Sequence, residues 1–114
     1  MSQNSTNVQR RSQRLPVNAN IAVIDTLRDK IVGHIGNISG EGLMLVSPCE
    51  IRVDSLHQYH FVLRDRHGSP QRMDLGVHQQ WTEAANMPGH FWVGFSIIDI
   101  SADNQRKLDQ WIKP

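Results

Sequence analysis

The sequence predicts a mainly β fold, in which about six short strands close into a small barrel and one α-helix follows at the C-terminus. Two observations predict it. From Asn18 onward apolar residues recur at alternate positions, the period that places successive side chains on opposite faces of a strand. From Ser101 the period becomes helical. Closing the short strands into a barrel removes exposed sheet edges.

In the first strand Ala19, Ile21, Val23 and Leu27 share the inward parity, although Asp25 also falls on it beside "DTLRDK". The stretch "KIVGHIGNISGEGLMLVSP" reads as two short strands around a Gly-rich connection. Tyr59, Phe61 and Leu63 then alternate up to "RDRHGSP", a hairpin turn of charge, Gly and Pro. Met73, Leu75, Val77 and Trp81 share the next inward parity, which puts Trp81 in the expected core, and "EAANMPG" breaks the chain. Phe91, Val93, Phe95 and Ile97 form the last inward set. Trp92 lies on the opposite parity and is expected to pack beneath the helix, exposure as a partner anchor being the alternative.

Leu108, Trp111 and Ile112 fall at helical spacing, Ser101 can cap, and Asp103 suits the positive end of the helix dipole. Trp111 is the expected anchor. The expected organisation is a disordered polar tail over 1–8 and one domain over 9–114, with an arm at 9–17, a barrel at 18–98 and a helix at 101–112.

Charge is unevenly placed. Residues 1–16 hold Arg10, Arg11 and Arg14 and no acid, which leaves nine Lys and Arg against eleven Asp and Glu in the rest, a body at −2. A general nucleic-acid binder carries a basic stripe over a face, and this chain has only a short basic arm, so no DNA or RNA partner is expected. Cys49 is the only cysteine, which excludes an internal disulfide and a cysteine-rich metal cage and suits a reducing compartment. No apolar leader or membrane-spanning run is present, and a cytoplasmic protein is expected.

Two stretches could carry recognition. Pro16 disfavours helix at Leu15, so Arg10 and Arg14 belong on an extended or looped arm, about 13 Å apart at roughly 3.3 Å per residue. Guanidinium forks pair bidentately with phosphate, stack on aromatic rings and grip guanine O6 and N7. A solvated basic tail has the same composition. In "NISGEG" Asn37 and Ser39 face one side if extended, and Gly40 and Gly42 permit close backbone approach. An ordinary Asn/Ser/Gly turn reads the same way. Gly36 is a candidate bulge that would turn the polar pair outward.

Together, Arg10-x-x-x-Arg14 and Asn37-x-Ser39-x-x-Gly42 resemble the paired signature of the PilZ domain family. The resemblance extends through "RLPVNANIAV", "GLMLVSP" and "VGFSIIDIS" over roughly residues 9–113. It implies a six-stranded antiparallel barrel with a C-terminal helix, acting as a bacterial receptor for the second messenger cyclic di-GMP. Arg10 and Arg14 would grip guanine edges and phosphates, Asn37 and Ser39 would hydrogen-bond a guanine, and Gly42 would allow close approach. Arg11 is implied as an auxiliary phosphate contact and Trp81 as a stacking residue. Glu41 brings negative charge near an anionic ligand.

The implied output is a contact with a separate protein in motility, surface attachment (biofilm) or exopolysaccharide control. Rival readings are a PilZ-like adaptor of pilus assembly that no longer binds nucleotide, and a small barrel for single-stranded nucleic acid. No P-loop, paired-carboxylate or Ser/His/Asp motif points to an enzyme. His57 and His60 would project to opposite faces of a strand, so neither a metal nor a cofactor is expected.

Overall fold

The computed structural model describes residues 15–16 and 20–113. The expected tail, Arg10, Arg11, Arg14 and Ala19 lie outside them. Seven strands occur among the described residues: β1 (Leu15–Pro16), β2 (Ala22–Asp25), β3 (Lys30–Ile38), β4 (Gly42–Ser47), β5 (Leu56–Arg64), β6 (Pro70–Ala84) and β7 (Phe91–Ile100). A helix, α1 (Ala102–Ile112), follows. All pairings are antiparallel, in the order β1-β3-β2-β5-β6-β7-β4, and β4 also pairs with β3. Strands β2 to β7 therefore close into a six-stranded barrel, and β1 lies on β3 beyond the point where β2 stops.

The alternation places the core as expected along β5 and most of β6. Tyr59, Phe61, Leu63, Met73, Leu75 and Val77 are all buried, and each fully buried side chain of this size contributes about 1.5–3 kcal/mol. Tyr59 makes an edge contact with Phe95, and burial raises its hydroxyl pKa well above the ordinary value, with the nearby Asp25 carboxylate adding to the rise. The "RDRHGSP" turn forms with Gly68 at φ 82, a conformation that favours glycine.

Three expectations are corrected. Leu27 is 80% exposed, because the inward run ends at Asp25. The buried Asp25 carboxylate accepts the amides of Leu27 and Arg28 and the Arg28 guanidinium, bending the chain into the β2–β3 turn. Trp81 stands outside the barrel and 38% exposed, because a bulge between Gln79 and Trp81 reverses the parity, while Gln79, still on the parity of Met73, Leu75 and Val77, is the last residue to point inward. Gln79 is satisfied there: its carbonyl accepts from the Asp54 amide at 2.6 Å and its amide donates to Thr82 Oγ1 at 2.7 Å.

The third correction concerns the helix anchor. Leu108 is fully buried, whereas Trp111 and Ile112 are partly buried against the core. Ser101 caps α1 by accepting the Asn104 amide at 3.1 Å, and Asp103 sits in the first turn. Replacing Leu108 by Ala should therefore cost about 2–5 kcal/mol in urea unfolding, more than Trp111→Ala relative to the side-chain volume removed.

Candidate functional site

Strand β3 carries the first polar group of the site. Ile35 and Ile38 both point inward, and the two residues between them are accommodated by a register shift against β4, so Gly36 lies in a bulge and Asn37 faces out. The expected bulge is therefore present, but it turns only Asn37 outward; Ser39, expected to turn out with it, is buried. Asn37 is opposite Met44 on β4, Met44 is opposite Gly94 on β7, and Gly94 is opposite Trp81 on β6. Pro16 of β1 flanks Asn37 on the other side. Five lateral neighbours thus form one row across the barrel wall, spanning roughly 19 Å at about 4.8 Å per strand.

Two glycines let indoles lie against this wall. A β-carbon on Gly94 would come within 2.2 Å of Trp81 Nε1, and one on Gly36 within 2.8 Å of Trp92 Cζ3 and 3.4 Å of Met44 Cε. Trp92 accordingly packs on Gly36, outside the barrel wall, rather than beneath the helix. The Asn37 amide nitrogen is 3.7 Å from the Met44 sulfur. Alternation could not find Met44 or Gly94 as site residues. A glycine inside the apolar run "FWVGFS" is nevertheless a sequence signal of close approach.

Ser39 has a different place from Asn37. It is 1% exposed, and its hydroxyl donates to the Gly42 carbonyl at 3.3 Å while accepting the amides of Glu41 at 3.2 Å and Gly42 at 3.1 Å. Its backbone N–H also donates to the Gly42 carbonyl, at 2.8 Å. Ser39 therefore shapes the turn that delivers Gly42 to the start of β4. The helix touches the same turn: Gln105 Nε2 donates to the Gly40 carbonyl at 3.2 Å and to Asp109 Oδ1 at 3.0 Å. Gln105 is a contact that the sequence pattern did not single out.

The described site residues Asn37, Ser39, Gly42, Met44, Trp81 and Trp92 carry no formal charge, and Glu41 in the turn is negative. Arg10, Arg11 and Arg14 lie outside the described residues, but the root of the arm is fixed: Leu15 pairs with Ile38 and Pro16 with Asn37.

A serine–histidine contact elsewhere is unsuited to nucleophilic catalysis. Ser55 Oγ donates to the Arg52 carbonyl, so its bond of 2.6 Å with His57 Nε2 must be donated by histidine. His57 thus cannot take the hydroxyl proton. Burial lowers the His57 pKa and favours the neutral ring, which stacks on Tyr59. His60 instead bonds Thr26, and no group of three or more metal-ligating side chains occurs among the described residues.

Ser39→Ala removes a buried acceptor from two turn amides. It should cost about 1–3 kcal/mol in urea unfolding with an unchanged denaturant slope.

Comparison with known proteins now places the chain. The PilZ domain profile matches residues 8–113. Among solved structures, the Bacillus subtilis inhibitor of motility (MotI/DgrA) superposes with a TM-score of 0.73 at 12% identity, covering 90% of this chain and 48% of that one. The K. pneumonia MrkH–c-di-GMP complex superposes with a TM-score of 0.68 at 15% identity, covering 90% and 50%. This chain spans about half the length of each, and the likeness is one of fold. No curated protein sequence matches. Because the profile runs from before Arg10 to the end of α1, the chain belongs to the PilZ domain family.

Proposed function

We propose that this chain is a non-enzymatic receptor for cyclic di-GMP. The observation that carries the reading is the pairing of β1 with the end of β3, which roots the arginine arm beside Asn37 and the Ser39–Gly42 turn. Membership of the PilZ family supports it, as does the fold shared with MrkH, whose structure is a complex with c-di-GMP.

In this reading Arg10 and Arg14 supply the charge that the outer face lacks, gripping phosphates and guanine edges, with Arg11 as helper. Asn37 offers an amide that both donates and accepts to a guanine edge. Ser39 acts through the turn, holding Gly42 where a base can approach. Trp81 and Trp92 offer π-faces for stacking, which is worth about 1–3 kcal/mol per base. The arm closes over the nucleotide, and closure changes the surface shown to a partner, by no more than the ligand's differential affinity for the two states. That partner is a separate protein acting in motility, surface attachment or exopolysaccharide control in the cytoplasm. The structural neighbour described as an inhibitor of motility supports the first of these.

Calorimetric titration of cyclic di-GMP into the wild type, Arg14→Ala and Asn37→Ala, with GTP and a short oligonucleotide as controls, tests the reading. Saturable micromolar binding of the cyclic dinucleotide alone is expected. Arg14→Ala should weaken it about 10- to 100-fold, the loss of one or two charge-assisted hydrogen bonds. Absence of saturable heat from the wild type would leave an adaptor on the same fold. Equal binding by Arg14→Ala would reject the site while keeping the receptor.

A further inference from the structure

Helix α1 touches the Gly40 turn through Gln105, and along its opposite flank it borders a groove closed on the other side by the β5–β6 hairpin. The groove has a volume of about 960 Å³, and Leu63, Met73 and Trp111 form its apolar floor. Five cations line it: Arg64 and Arg66 from the hairpin, and Arg106, Lys107 and Lys113 from the end of the chain. Two carboxylates accompany them. Asp65 is engaged by its own turn, accepting the amides of His67 and Ser69 at 2.9 Å and the Gln71 side chain at 3.3 Å. Asp103 is shared between Arg106 and Lys107.

With His67 neutral, five cations against two carboxylates make the groove +3. Outside the groove and the arm, the chain holds four cations (Arg28, Lys30, Arg52 and Arg72) against nine carboxylates, a remainder of −5. Most of the positive charge of the body is therefore gathered on one concave surface. Gathering like charges disfavours the compact state, and an anionic partner would offset that cost.

We propose that this groove docks a short acidic segment of a partner protein, with an apolar side chain of the segment set against Trp111. The dimensions favour a short segment, since residues 106–113 rise only about 10 Å at 1.5 Å per residue. The acidic remainder of the body disfavours a long polyphosphate, which would have to run across it. A single indole is likewise too few for single-stranded nucleic acid, which stacks successive bases on several aromatic faces. The proposal stands independently of nucleotide binding.

The probe is a fluorescein-labelled peptide that alternates glutamate pairs with leucine, followed by anisotropy at low salt. Its glutamine counterpart and an oligo-thymidine strand serve as comparison arms. The wild type should bind the acidic peptide saturably and the glutamine peptide weakly, and salt should weaken binding. The Arg66→Glu/Lys113→Glu double variant, at two exposed positions, should bind the peptide about tenfold more weakly, and added cyclic di-GMP should give it the same heat as the wild type. The proposal is overturned if the peptide does not bind, if the double variant binds it equally, or if oligo-thymidine binds the groove more tightly. Loss of cyclic di-GMP binding in the double variant, where the wild type binds it, would also overturn it by assigning the groove to the nucleotide site. Failure of the wild type to bind nucleotide while it still binds peptide would reject only the receptor reading.

Discussion

Strand β3 holds three neighbours, and the geometry of the site depends on that sharing. One edge pairs with β2 along its first half and with β1 over its last two residues, while the other edge pairs with β4 and closes the barrel. Only a bulge lets one strand keep Ile35 and Ile38 in the core and still present Asn37 outward between them. Gly36 supplies it and leaves space for the Trp92 ring. Without the β1 pairing the arm would have no defined root, and without the bulge the polar position would face the core.

How much of this was legible in the sequence varied with the physical origin of each feature. The inward faces of β5 and the first half of β6 were legible because alternation is a local property, visible wherever a strand is regular. Alternation misplaces Trp81 because a bulge resets its parity, and the indole lies outside the wall against Gly94 of the neighbouring strand, a contact between residues distant in sequence. Leu27 was misplaced because Asp25 satisfies turn amides from within the core, a role that hydrophobic pattern does not encode. Helical spacing alone does not separate Leu108 from Trp111, the expected anchor, and only packing against the core makes Leu108 the buried one.

Of the candidate site, the positions of Asn37, Ser39 and Gly42 could be read from the family signature, and the outward turn at Asn37 from Gly36. Ser39 holding the turn from inside, the row from Asn37 to Trp81, and the contact from Gln105 could not be read, because each joins residues distant in sequence. The cationic groove is the strongest case. Its Arg64 and Arg66 sit in an ordinary hairpin, and its Arg106 and Lys107 on an ordinary helix, until the fold sets them face to face. An almost neutral chain thereby gathers most of the positive charge of its body in one groove beside α1.

In the function proposed above, the arm and the outer face of β3, β4, β6 and β7 bind the nucleotide as one site. Nitrogen-15 NMR of the full chain during titration with cyclic di-GMP tests this most directly. The Arg14 side-chain signal, the amides of Asn37 to Gly42 and the Trp81 indole should shift together along one saturation curve, while the amides of the Asp65–Ser69 turn stay in place. Shifts confined to that turn and α1, with Asn37 to Gly42 unmoved, would contradict it.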